Sequence, residues 1–272
     1  MTASLELLAV AGLASCLVGA STIASRAWGY EIGGLISAFP LIVGPVVLLA
    51  AVRQGPAAAA QTAGATLLGL VALSGFALAY GRAAGHRGWP SSVALGWAVA
   101  AATGVLVARV EAGLLGALAA ATLSIALARA CLPRGREAAL TMQAPGWELP
   151  ARMALTALLI VGLTVAGERF GPTVAGILAA LPALASVLAV FTHARDGSRA
   201  VLSLLRGMLG GLAAFVIFCA AIAVLIEPAG VIPAFVLATA AAVLVQAVTA
   251  RLQRAACDHP AMLDRTVGER GT

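Results

Sequence analysis

Long uncharged runs alternate with short stretches that carry arginine along almost the whole chain. The runs lie at about 4–24, 32–52, 60–81, 90–108, 112–131, 152–167, 173–192, 200–226 and 229–250. Most hold roughly 18–25 residues, which as a helix spans a hydrocarbon core of about 30 Å. None alternates apolar and polar residues as a membrane strand must. The pattern predicts an all-α integral membrane protein with nine transmembrane helices. The run 152–167 is short, and 200–226 includes Arg206 near one end, where a long side-chain stem reaches the interface.

The runs repeat. Shifted by 142 positions, residues 1–110 lie over 143–252 without a gap. Alanine and leucine matches carry little information in such a chain. Gly29, Gly34, Pro40, Arg53, Gly55, Gly69, Phe76 and Arg109 lie over Gly171, Gly176, Pro182, Arg195, Gly197, Gly211, Phe218 and Arg251, and those matches do carry it. Each copy holds four runs, and the run 112–131 has no counterpart. Four crossings plus one is an odd number, so the second copy enters the membrane from the opposite side. The expected layout is a first four-helix repeat (1–110), a linker helix and loop (111–142), an inverted four-helix repeat (143–252) and a flexible tail (253–272). The tail from 255 onward is polar and lacks periodicity.

The most distinctive shared phrase is GLISAFP at 34–40 and GILAALP at 176–182. Proline has no N–H and clashes with the preceding turn, so the carbonyls of Ile36 and Leu178 should lose their helical partners. An unpaired carbonyl is costly in hydrocarbon and should face protein or a wet cavity. Gly34 and Gly176 leave room for a close backbone or ligand. Single Gly/Pro kinks commonly serve packing. The same kink at matching positions of two inverted halves points instead to a midplane substrate site of a secondary transporter. The expected substrate-binding residues are Gly34, Ser37, Pro40, Gly176, Pro182 and Ser186.

Composition agrees with the pattern: 61% of residues are hydrophobic, 10% are charged, and mean hydropathy is +1.02. The net charge of +6 does not imply a nucleic-acid partner. All 17 basic residues are arginine, and most sit in the connections between runs, where they set topology. With nine spans, fourteen fall on one side. Only Arg53, Arg109 and Arg169 fall on the other. The rich side is expected to be cytoplasmic, which puts the N-terminus in the periplasm and the C-terminus in the cytoplasm of a bacterial inner membrane. The first run has no basic residue in its leading MTASLE, unlike a cleaved signal peptide. Trp28, Tyr30, Tyr80, Trp89 and Trp147 stand at run ends and are expected to form an interfacial belt.

The chemistry on offer is thin. Cys16, Cys131, Cys219 and Cys257 are scattered and give no disulfide or zinc framework. His86, His193 and His259 are expected to be solvated loop or tail residues. No carboxylate or histidine falls at the centre of a run, whereas proton-coupled carriers usually keep one there. The polar residues inside runs are Thr22, Ser37, Gln61, Thr66, Ser74, Thr103, Thr164, Ser186, Ser203 and Gln246, each by itself expected to make an interhelical hydrogen bond. No Ser/His/Asp grouping, HExxH or P-loop appears, so no enzyme and no cofactor or metal is expected. The expected partners are the lipid bilayer, a small neutral or lipid-like molecule of unspecified identity and, as a homodimer, a second copy of the chain. The competing expectation is a non-transporting subunit or scaffold in cell-envelope or exopolysaccharide biosynthesis.

The phrase GGLISAFPLIV, followed by RQG, at residues 33–55 resembles the GlpM family of small bacterial inner-membrane proteins. Members are about four spans long, the length of one repeat here. The resemblance covers residues 4–108 and, more faintly, 147–250. It implies a four-helix membrane unit linked with alginate production and assigns no molecular activity. Two fused copies and a linker helix depart from that family. The inverted layout is also similar to that of drug/metabolite transporters, at the level of architecture alone.

Overall fold

The computed structural model describes residues 2–40, 43–110, 112–133, 145–170 and 182–268, which are helical apart from short joints, with no strand among them. The helices are α1 (Thr2–Trp28), α2 (Tyr30–Ser37), α3 (Val43–Gln54), α4 (Pro56–Ala84), α5 (Trp89–Val107), α6 (Leu114–Cys131), α7 (Glu148–Phe170), α8 (Ala183–Ala229) and α9 (Val231–Gly268). Among the described residues, Pro56–Ala84, Trp89–Val107, Leu114–Cys131, Ala183–Ala229 and Val231–Gln253 are long and apolar enough to cross a membrane.

The core lies between α4 and α8. Tyr80, Phe76 and Leu67 of α4 and Leu205, Leu209, Leu212, Ile222 and Ile226 of α8 are fully buried there. Helices α5 and α9 flank these two, and α6 packs on both. Their outer faces keep large apolar side chains exposed, including Leu115 (81%) and Ile232 (77%). An apolar surround, not water, accounts for such faces on helices of this length.

Small residues let backbones meet. A Cβ on Gly34 of α2 would run into the Leu204 carbonyl of α8, and one on Gly207 of α8 would run into the Glu31 carbonyl. One on Gly211 would lie 2.6 Å from the Leu35 carbonyl. Helix α2 therefore crosses α8 backbone against backbone, the small-residue packing of membrane helices. Helix α1 offers serines to both neighbours. Ser21 Oγ donates to the Gly33 carbonyl of α2 at 2.6 Å, and Ser15 Oγ donates to the Met153 carbonyl of α7 at 2.9 Å.

Two predicted boundaries change. The run 32–52 is not one kinked helix: α2 stops at Ser37 and α3 starts at Val43. The Ile36 carbonyl is not orphaned, because Phe39 N–H turns back to it at 3.1 Å in a tighter last turn. Leu178 and Gly176 lie outside the described residues. The runs 173–192 and 200–226 are joined without a loop, since α8 is interrupted only at Gly197 (φ 83°, ψ −177°). Gly55, 142 positions earlier, has φ 94° and ψ 171° and separates α3 from α4 in the same way. Only glycine adopts this conformation cheaply. Gly88 and Gly230, also 142 positions apart, each precede the first residue of a helix, and α1 and α7 end at the matching Trp28 and Phe170. Helix α9 continues to Gly268, into the residues expected as a flexible tail, propagation from an existing helix being cheaper than nucleation.

Gly34→Ala is expected to lower the melting temperature of the detergent-solubilised protein, by an amount equivalent to about 1–3 kcal/mol for an overpacked site. Gly12→Ala, on the exposed face of α1 with nothing within 4 Å of its Cβ, is expected to leave it unchanged or raise it. Equal melting temperatures for the two variants would contradict the backbone-to-backbone crossing.

Candidate functional site

A cavity of ≈ 430 Å³ opens where the first break meets the start of α8. Ser37, Ala38 and Phe39 border it on one side, and Pro182, Ala183, Leu184 and Ala185 on the other. Leu17 of α1, Ile160 of α7, and segments of α3, α4 and α8 complete the wall. Four pairs of wall residues stand 142 positions apart: Val43 with Ala185, Thr66 with Met208, Leu70 with Leu212, and Leu73 with Phe215. Ser37 and Thr66 bring the only polar side chains among the described wall residues. Both hydroxyls are already engaged, Ser37 Oγ with the Gly34 carbonyl at 2.6 Å and Thr66 Oγ1 with the Thr62 carbonyl at 2.8 Å. Such a wall suits an apolar or weakly polar guest and offers little to an ion.

The expected site residues divide. Ser37 and Pro182 border the cavity. Pro40 is buried next to it, and its carbonyl accepts Gly44 N–H at 3.1 Å. Gly34 is spent on the crossing with α8. Ser186 is buried and behaves as a strut: its hydroxyl donates to the Pro182 carbonyl at 2.8 Å and accepts from Trp97 Nε1 of α5 at 2.7 Å. Gly176 lies outside the described residues.

Gln246 of α9 reaches across to α2, where Nε2 donates to the Leu35 carbonyl at 2.5 Å. A carbonyl only accepts, so the amide nitrogen must be the atom that faces it. This is the interhelical bond expected of a membrane glutamine, and it falls on a carbonyl beside the break. Thr22, Ser74 and Thr103 instead bond the carbonyls four residues back in their own helices, and the Thr164 side chain lies outside the described residues.

The largest departure from the sequence reading is electrostatic. Arg26, Arg152 and Arg195, expected as topology-setting charges in loops, lie on helices and converge on one carboxylate. Glu148 Oε2 accepts from Arg26 Nη2 at 3.0 Å and from Arg195 Nη1, and Oε1 accepts from Arg152 Nε at 2.9 Å and Nη2 at 2.5 Å. Arg195 Nε lies 3.6 Å from Asp196, and the Arg152 guanidinium stacks 5.2 Å above the Phe191 ring. Burial of Glu148 and Arg152 makes these bonds strong and leaves no water to replace one that is lost. The network ties α1, α7 and α8 at one end. With a helix rise of about 1.5 Å per residue, Arg26 lies about 14 Å along α1 from Leu17, Glu148 about 18 Å along α7 from Ile160, and Arg195 about 15 Å along α8 from Ala185.

Two aromatic and histidine expectations are also corrected. Tyr80 is not an interfacial belt residue but is fully buried, and its hydroxyl lies 3.3 Å from His193 Nδ1. His193 is thus a half-buried helical residue, not a solvated loop one. Trp28, Trp89 and Trp147 are exposed as a belt requires. The signals that could have found the network were Glu148 and Arg152 at i, i+4, and Asp196 beside Arg195 in a chain with few carboxylates.

Fold and site together define a multi-pass α-helical membrane protein. Compared with known protein families, curated proteins and solved structures, the chain matches none.

Glu148→Gln is expected to destabilise the protein by on the order of 3–5 kcal/mol, since it leaves buried guanidinium charge uncompensated. Arg26→Gln removes a partner that is 38% exposed and should cost on the order of 1 kcal/mol or less. Thermal melts in one detergent measure both. The reverse order would mean that the network is peripheral to folding.

Proposed function

We propose that this chain is a secondary transporter or flippase. It carries a small neutral or lipid-like molecule by alternating access of two inverted four-helix repeats joined by α6. The observation that carries this reading is the cavity wall: matched positions from both halves line one apolar space between the end of the first Gly/Pro phrase and Pro182. A site at the interface of two inverted repeats is built from equivalent positions of each. Nine crossings follow if α2 with α3 count as one broken crossing and α8 counts as two, divided at Gly197. The matched glycine conformations at 55 and 197 support that count.

Arginines 26, 82, 129, 152, 195 and 206 all bond or pack where ends of α1, α4, α6 and α7 meet the stretch of α8 around Gly197. Their number makes that end the cytoplasmic one. In this reading the Glu148 network closes α1, α7 and α8 on the cytoplasmic side of the cavity. Opening there separates these helices and breaks the bonds to Glu148.

Thr66→Cys in a cysteine-free background tests the proposal without a known substrate. Water-soluble maleimides applied from each side of sealed vesicles should modify it, at a rate that rises from the cytoplasmic side when Arg26→Gln loosens the network. In vesicles carrying a fluorescent phospholipid, bulky modification at this position should slow transbilayer movement. A thiol that resists reagent from both sides would mean dry packing, and the scaffold reading would replace transport.

A further inference from the structure

Tyr80 of α4 carries its hydroxyl into the core and meets one hydrogen-bond partner among the described residues, His193 Nδ1 of α8, at 3.3 Å. The tyrosine is fully buried and the imidazole half-buried. Their rings stand edge to face with centroids 5.8 Å apart, and the Phe76 ring packs 5.6 Å from that of Tyr80. Helix α5 presses on the same place. A Cβ on Gly96 would stand 2.7 Å from the Phe76 ring and 3.4 Å from Tyr80 Cβ. Packing thus fixes where the hydroxyl points, and the imidazole nitrogen is what it points at.

The tyrosine hydrogen is satisfied only if Nδ1 is bare and the imidazole carries its proton on Nε2. A proton taken from water onto Nδ1 makes both ring nitrogens donors. The tyrosine oxygen must then accept, and its own hydrogen is left unbonded in the core, which costs more than an ordinary hydrogen bond gains. Imidazole is the side chain whose charge ordinarily changes near neutral pH. The charged groups of the surrounding helices have other places. Arg82 of α4 and Arg206 of α8 donate to the Cys131 and Leu132 carbonyls, and Arg129 of α6 stands over Gly210. Arg26, Arg152 and Arg195 share Glu148, with Asp196 beside Arg195. Tyr30 and Glu31 begin α2, Cys131, Arg199 and Arg251 are exposed, and α5 has no titratable group. Among the described residues none forms an ion pair with His193.

We propose that His193 and Tyr80 form a proton-binding site, which bonds α4 to α8 while the imidazole is neutral and releases that bond when it is protonated. The site lies on the two helices that hold the core, so its state bears on how firmly they are joined. It does not depend on the transport reading. Within that reading it is where a coupling proton binds.

The full chain, purified in neutral detergent with isotope-labelled histidine, is followed by NMR of the imidazole nitrogens between about pH 8 and about pH 5. His193→Phe assigns the signals. At the upper pH His193 should show a bare Nδ1 and a protonated Nε2, and its signals should move to the doubly protonated form as the pH falls. Thermal melts of the parent, Tyr80→Phe, His193→Phe and the double variant then measure the coupling at each pH. The two substitutions should be non-additive by about fivefold in the unfolding constant at the upper pH, the worth of one hydrogen bond, and additive at the lower. A proton on Nδ1 at the upper pH, an imidazole that stays neutral throughout, or equal coupling at the two pH values would overturn the site.

Discussion

At residues 38–40 the run 32–52 stops being a helix, and every backbone group freed there must find a partner inside the protein, because hydrocarbon offers none. Phase by phase the carbonyls are met. Gly34 takes the Ser37 hydroxyl, Leu35 takes Ala38 N–H and the Gln246 amide, and Ile36 takes Phe39 N–H. The Gln246 bond exists only if α2 lies against α9, and α2 reaches that place only because Gly34, Gly207 and Gly211 let it lie on the backbone of α8. One local break thus dictates the glycines of a helix more than 160 residues away in sequence.

The same break creates the cavity. A continuous helix would carry side chains through the space beside Ser37, whereas a chain that turns at Ala38 and Phe39 leaves it open toward Pro182. The walls are apolar since their backbone groups are already satisfied and their hydroxyls bond their own helices. In the proposed function a guest is therefore recognised by shape and apolar contact more than by charge. The charged groups stand about 14–18 Å away along the helices. There a buried carboxylate shared by three arginines holds α1, α7 and α8 together, strong enough to keep them joined yet built of bonds that an aqueous opening could replace.

Around Glu148 the arginines share one carboxylate, whereas at the end of α6 Arg82 and Arg206 donate to backbone carbonyls. Arginine in this protein thus plays two physical parts: cohesion, through Glu148, and capping of the end of α6, through the Cys131 and Leu132 carbonyls.

The sequence by itself determined the helical membrane class, because runs of uncharged residues long enough to cross a bilayer leave no other stable backbone arrangement. It also marked the glycines at 55 and 197 and the places where Pro40 follows the end of one helix and Pro182 precedes the start of another, since proline and glycine act on the local backbone. Only the tertiary structure decided what those positions touch. Gly34 proved to serve a helix crossing and Ser186 a strut to Trp97, while the first break and Pro182 meet at one cavity. It also turned Tyr80 inward to His193 and drew Arg26, Arg152 and Arg195 onto Glu148. A one-dimensional pattern records how far apart residues are along a helix. Which helices become neighbours depends on backbone contacts and buried charges between segments more than a hundred residues apart, and no local rule encodes those.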